Sequence, residues 1–237
     1  LKSERLTTTA FGRPVRALVI GNGDRKVIFS AAHHANEWIT TPLLLKFVEE
    51  YAKGVVTATP MGENSFEELF NKTTFYAMPM VNPDGVDLVT GALSKESEAY
   101  LDALTIANNY PEIPFPSGWK ANIVGIDLNL NYPAMWEEAK AQKYAAGFTR
   151  PAPRDFVGSR PLDAPESRAV YDLSLREDFD LTVSLHTQGE EIYWRFADYN
   201  VQNGGEIGEK MAEASGYTLA EPSLFSSFAR ISGGHSM

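Results

Sequence analysis

The 237-residue chain contains no cysteine. Disulfides, thiolate metal sites and a cysteine nucleophile are therefore excluded. The compartment stays open, because many exported proteins also lack cysteine. Histidine is scarce: His33, His34, His186 and His235 are all there is. Any imidazole-based site must draw on those four. Positive charge is in deficit, with 21 basic residues against 31 acidic and a formal net charge of −10. Without clustered Lys and Arg, binding to a nucleic-acid backbone is not expected. No apolar run approaches the roughly 18 residues of a membrane span. The opening "LKSERLTTTAFGRP" is polar and is no signal peptide. It also lacks an initiator Met, which reads as a processed or trimmed form.

What is present is ordinary for a soluble globular protein. Hydrophobic residues make up 43% and charged residues 22%, so a core can form without staples. Val15 to Gly21 reads as a strand, "GNGDR" as a turn and Lys26 to Ala32 as a second strand, together a candidate hairpin. In "TTPLLLKFVEEYAK", Thr41 is a candidate cap and Pro42 suits the first helical position. Leu44, Phe47, Val48 and Tyr51 then follow at helical spacing. Thr73 to Val81 is strand-like and runs into the turn signal "NPDG". Residues 86–125 are the least regular, and "NNYPEIPFPSGW" reads as a surface loop. Helices are expected over Ala134 to Gly147, after Asp163 and Pro165, and in "GGEIGEKMAEASG", closed by Gly216. Leu181, Val183 and Leu185 alternate as in a strand. The alternation of strands and helices predicts an α/β fold, with one domain over residues 1–237 and a mixed, mostly parallel sheet flanked by helices.

The histidines suggest chemistry. Zinc at a hydrolytic site takes three protein ligands from His, Asp and Glu and leaves one position for water. In "AAHHANEW", His34 and Glu37 stand three apart after a strand and can converge on one ion in a turn. His33 and Glu37, four apart, would need a helical turn there, and the helix cap comes later. His33 is therefore expected to pack or to sit behind the ligands. Such a pair alone is common by chance. His186 adds weight, because it ends an alternating strand, where open α/β sheets place their ligands.

With "HANE" before a helix, "PMVNPDGV", "GIDLNLNYP" and "SLHTQGEEIYW", in that order, the chain resembles the zinc carboxypeptidase family from about Phe11 to Met237. More narrowly, "WKANIVGIDLNLNYPAMWEEAK", "PAPRDFVGSRPL" and "HTQGEEIYW" look like the bacterial γ-D-glutamyl-L-diamino acid endopeptidases, which cut peptidoglycan stem peptides. The resemblance implies one zinc ion held by His34, Glu37 and His186. It places Lys120 where an arginine helps polarise the scissile carbonyl, and Asn129 where an asparagine holds a terminal carboxylate. Thr187 and Gln188 could line the pocket, and Arg230, near the "SGG" turn, could meet a substrate carboxylate. Two positions depart from the family. Leu130 replaces the arginine that pairs with a C-terminal carboxylate, and Asn36 replaces another arginine. Each lost charge-assisted hydrogen bond is worth about 1.5–3 kcal/mol. Ordinary carboxypeptidase action is thus disfavoured against a γ-linked D-glutamyl bond.

The family's general-base glutamate lies well beyond the "SGG" turn, and no residue here matches it. Glu190 and Glu191 are poor substitutes after a glycine turn. The chain therefore reads as lacking the family's C-terminal part. Two alternatives remain beside the peptidase: a zinc deacylase of N-acyl amino acids on the same fold, and a non-catalytic module that binds peptidoglycan peptides. Oligomeric state, preferred diamino acid and location, bacterial cytoplasm or cell wall, stay open.

Overall fold

The computed structural model describes residues 1–62, 64–196 and 202–220. In chain order the strands and helices are β1 (Lys2–Thr8), β2 (Pro14–Gly21), β3 (Arg25–Ala31), α1 (Thr40–Val56), the short β4 (Pro60–Met61) and β5 (Asn64–Ser65), α2 (Phe66–Lys72), β6 (Thr73–Met78), α3 (Pro83–Thr90), α4 (Glu98–Ala107), α5 (Trp136–Ala145), α6 (Pro165–Glu177), β7 (Leu181–Leu185), β8 (Glu191–Ile192), α7 (Gly204–Ser215) and β9 (Thr218–Leu219).

The main sheet has the order β1-β2-β6-β3-β7. It is mixed: β1–β2 and β2–β6 are antiparallel, whereas β6–β3 and β3–β7 are parallel. The expected hairpin of β2 with β3 does not form, because β6 lies between them. The glycines of "GNG" explain this. A Cβ on Gly21 would stand 2.1 Å from Thr73 O, and one on Gly23 would stand 1.9 Å from the Lys72 carbonyl carbon. The turn is a seat for the start of β6 and not a tight reversal. β6 itself, "TTFYAM", is almost wholly buried, as a strand covered on both faces should be.

Period-two alternation sorts the side chains onto two faces. Ile28, Tyr76, Met78, Val15 and Ala17 pack with Leu128, Tyr132, Val170 and Leu173 on one side. Val27, Phe29, Ala31, Phe75 and Ala77 pack with Leu44, Val48 and Tyr51 of α1 on the other. Phe47 departs from its expected core position. It is 43% exposed and stacks on Phe29 at 5.7 Å.

Three boundaries differ from the sequence reading. α1 starts at Thr40 with Ile39 at its cap. Thr41 instead donates to Pro79 O, and Thr40 accepts from the Ala32 N–H and donates to Glu37 O. "NPDG" is not a free turn. Asn82 caps α3 through Oδ1 to the Gly85 N–H, with Pro83 in the first turn. A Cβ at Gly85 would meet Asn82 Oδ1 at 2.6 Å, so glycine is required for that close approach. Asp163 does not cap α6. Ala164 holds that position, and the Asp163 carboxylate accepts from the Ser159 N–H and hydroxyl. The "surface loop" before Trp119 is also partly core, since Trp119 is fully buried among Leu88, Ala103 and Ile123.

Candidate metal centre

β3 and β7 are parallel neighbours, with Ala31 opposite Leu185. Both strands therefore release the chain at the same edge, and His33, His34 and His186 follow at once. Ala32 turns the chain with a φ of 51°, anchored through its N–H to Thr40 Oγ1. His34 is still extended, and the one-turn 3-10 helix Ala35–Glu37 then brings Glu37 back. This tight turn lets residues three apart in sequence converge.

The convergence is close. His186 Nδ1 lies 2.7 Å from Glu37 Oε2. His34 Nδ1 lies 3.1 Å from Glu37 Oε1, yet this buried nitrogen has no partner of hydrogen-bond geometry. One ligand atom from each of the three residues falls within 4.8 Å of the others. Among the described residues, this is the set of His and carboxylate groups arranged to hold an ion. His33 is held apart, with Nε2 3.0 Å from the Tyr132 hydroxyl, as the spacing suggested.

Asp127 stands behind His34 and is not legible as a site residue from spacing alone. Its Oδ1 is 3.2 Å from His34 Nε2, and its Oδ2 accepts from the Asp155 N–H at 3.1 Å. A carboxylate on one imidazole nitrogen leaves the other to face a metal. The missed signal is that a ligating histidine needs such a partner, and "GIDLN" supplies the aspartate. On the other side, Lys120 Nζ reaches Glu37 Oε1 at 3.3 Å.

Protonation follows this geometry. Burial works against charge on His34, but Asp127 and then Glu37 outweigh it and raise its pKa to about 9. Burial likewise opposes charge on Glu37, and the hydrogen bond with His186 together with the nearby His34 imidazole overcome it, holding the carboxyl far below its usual range. Asp127 is lowered to about 2, because His34 and the Asp155 N–H outweigh its burial. These three groups form a buried, charge-paired cluster in which a proton on His34 stands where a cation would. Two imidazoles, one carboxylate and an unsatisfied buried Nδ1 fit zinc, with a fourth position left for water.

The remaining expected contacts divide. Asn129 is half-buried, and its N–H donates to Asp127 Oδ1. Thr187 is half-buried and Gln188 exposed, directly after His186. Arg230 lies outside the described residues. Leu130 corrects the expectation of a substrate contact: it is buried with Trp136, Ala139 and Val157. The fit of an apolar side chain into that cluster explains why it is not presented to solvent. Leu130→Ala should cost about 2–5 kcal/mol in stability and leave zinc affinity unchanged, as denaturant unfolding and chelator competition would show. A change in affinity without loss of stability would count against the packing role.

The family model for zinc carboxypeptidases matches residues 1–229. The chain belongs to the zinc carboxypeptidase family. Within that family it is similar to gamma-D-glutamyl-L-diamino acid endopeptidase 1 of Lysinibacillus sphaericus, at 38% identity over 92% of this chain and 53% of that one. It is also 40% identical to the protein YqgT of Bacillus subtilis, over 88% of this chain and 54% of the other. The chain thus spans about half the length of these two relatives. Among solved structures, bovine thrombin-activatable fibrinolysis inhibitor superposes with a TM-score of 0.66 at 19% identity, over 99% of this chain and 73% of that one. The murein-tripeptide amidase of Escherichia coli O157 superposes with a TM-score of 0.51 at 18% identity, over 93% and 72%. Both likenesses are of fold.

Proposed function

We propose that this chain carries the zinc site of a peptidase that hydrolyses γ-D-glutamyl–diamino acid bonds in peptidoglycan stem peptides. The observation that carries the hydrolase reading is the convergence of His34, Glu37 and His186 at one sheet edge, with His34 fixed from behind by Asp127. A zinc ion bound there supplies a polarised carbonyl and a bound water of lowered pKa. Asp127 orients the His34 ring, and Lys120 brings a cation to the same edge, where it can meet a substrate carbonyl as a point charge. Neither glutamate after His186 is assigned as the proton acceptor. Glu191 accepts from the Tyr193 hydroxyl at 2.6 Å, and Glu190 is exposed.

Two observations support the substrate. The relative at 38% identity bears that activity in its name. Leu130, packed in the core, offers no cation for a free C-terminal carboxylate. The test is a comparison of rates for the full-length zinc-loaded protein. A γ-D-Glu–diaminopimelate peptide should be cut faster than ordinary C-terminal residues are released. Faster release of C-terminal residues would reject the substrate assignment, and zinc binding without any turnover would reject the peptidase.

A further inference from the structure

Glu166 is a carboxylic acid with no exposure at all, and no role described so far uses it. It is the second residue of α6. Its Oε2 accepts from Asn122 Nδ2 at 3.2 Å, and its Oε1 has no hydrogen-bond partner. A buried acid so sparsely satisfied is costly, so its place in the fold calls for an explanation.

Asn122 supplies that explanation. Its Oδ1 accepts from the Ile126 N–H at 2.9 Å, and its N–H donates to Ile126 O at 2.8 Å. Its carbonyl accepts from the Gly125 N–H and from Trp119 Nε1. Residues 119–127 are thus closed around this one amide. The same segment carries Lys120, which contacts Glu37, and Asp127, which contacts His34. We propose that Glu166 is a positioning residue for the metal centre, acting through Asn122 on the loop that sets Lys120 and Asp127 against Glu37 and His34. The proposal rests on the zinc reading of that centre.

Burial holds the Glu166 carboxyl up at about 7, against the pull of its own N–H and Asn122, with the charge of Asp84 adding to the rise. The Tyr132 hydroxyl feels the same carboxylate. The pair is therefore a donor–acceptor contact that can be reversed by design. Asn122→Asp removes the amide donor and, read at pH 9, above the value of about 7 at which Glu166 takes up a proton, sets two carboxylates against each other. Glu166→Gln keeps an acceptor for Asn122. The double variant Asn122→Asp/Glu166→Gln restores one hydrogen bond with its polarity inverted.

The experiment uses the full chain, zinc as the probe, chelator competition for affinity and amide hydrogen exchange at Ile126. Asn122→Asp is expected to weaken zinc binding roughly 3–10-fold, less than the roughly 10–100-fold of a direct outer partner, and to speed exchange at Ile126. Glu166→Gln should match wild type, and the double variant should recover most of the loss. Unchanged affinity and exchange in Asn122→Asp, or no recovery in the double variant, would overturn the proposal. If wild type takes up no zinc, the metal reading has failed. Exchange at Ile126 in the metal-free variants then decides the brace alone. Should Asn122→Asp not fold, Glu166→Ala read by the same two measurements replaces it.

Discussion

Glu37→Ala is expected to abolish stoichiometric zinc uptake. Glu37 is where His34, His186 and Lys120 meet, at 3.1, 2.7 and 3.3 Å. Its loss removes one of three candidate ligands and also leaves His34, His186 and Lys120 facing one another without the carboxylate that pairs them. The loss in affinity should exceed the roughly 10–100-fold that follows removal of an outer-shell partner. Elemental analysis after gel filtration, with a circular dichroism spectrum to show that the variant folds, checks this. A folded Glu37→Ala protein that retains one zinc per chain would remove Glu37 from the ligand set.

Asp127→Asn is the second large effect. Asparagine has the right shape, and its oxygen can still accept from His34 Nε2. Its amide must then face the Asp155 N–H, donor against donor, where Asp127 Oδ2 now accepts. Zinc affinity should fall roughly 10–100-fold. A pH-dependent stability difference should accompany it in the metal-free protein. The folded Asp127 is depressed from 3.8 to about 2. Its contribution, about 2 kcal/mol, is therefore fully present above pH 3.8 and is lost as pH falls through 2. Denaturant unfolding of wild type and variant at pH 6 and pH 2.5 measures it. A difference that stays constant over that range would show that charge on Asp127 does not matter.

Much of the candidate site was legible in the sequence because the residues that could ligate a metal follow strand ends. The alternation of Leu181, Val183 and Leu185 located β7, and the apolar run before "HHANEW" located β3. A parallel pair of such strands delivers His34, Glu37 and His186 to one edge. The order of the strands was not legible. Gly21 and Gly23 look like hairpin residues, yet their missing side chains admit the backbone of Lys72 and Thr73. Local turn chemistry does not say which distant strand uses the space. For the same reason Thr41 and Asp163 looked like caps. The Thr41 side chain goes to the backbone of Pro79, which only the fold brings near, and the Asp163 side chain turns back to Ser159 four residues before it. Leu130 stands where the family carries an arginine, and an apolar side chain there cannot pair with a carboxylate. Its burial shows that packing has taken the position over.

Asp127 and Glu166 were hidden for a different reason. Each acts through a partner remote in sequence, His34 and Asn122, and no spacing rule connects them. Such residues become visible only when the imidazole nitrogen not used for metal, or the buried amide closing a loop, is asked where its hydrogen bond goes.

The most direct test of the account is a crystal structure of the zinc-loaded protein, with anomalous scattering at the zinc edge. One zinc is expected at the ends of β3 and β7, within about 2.0–2.2 Å of His34 Nδ1, a Glu37 carboxylate oxygen and His186 Nδ1. His34 Nε2 should remain on Asp127. An anomalous peak elsewhere, or a zinc that His33 and not His34 ligates, would contradict it.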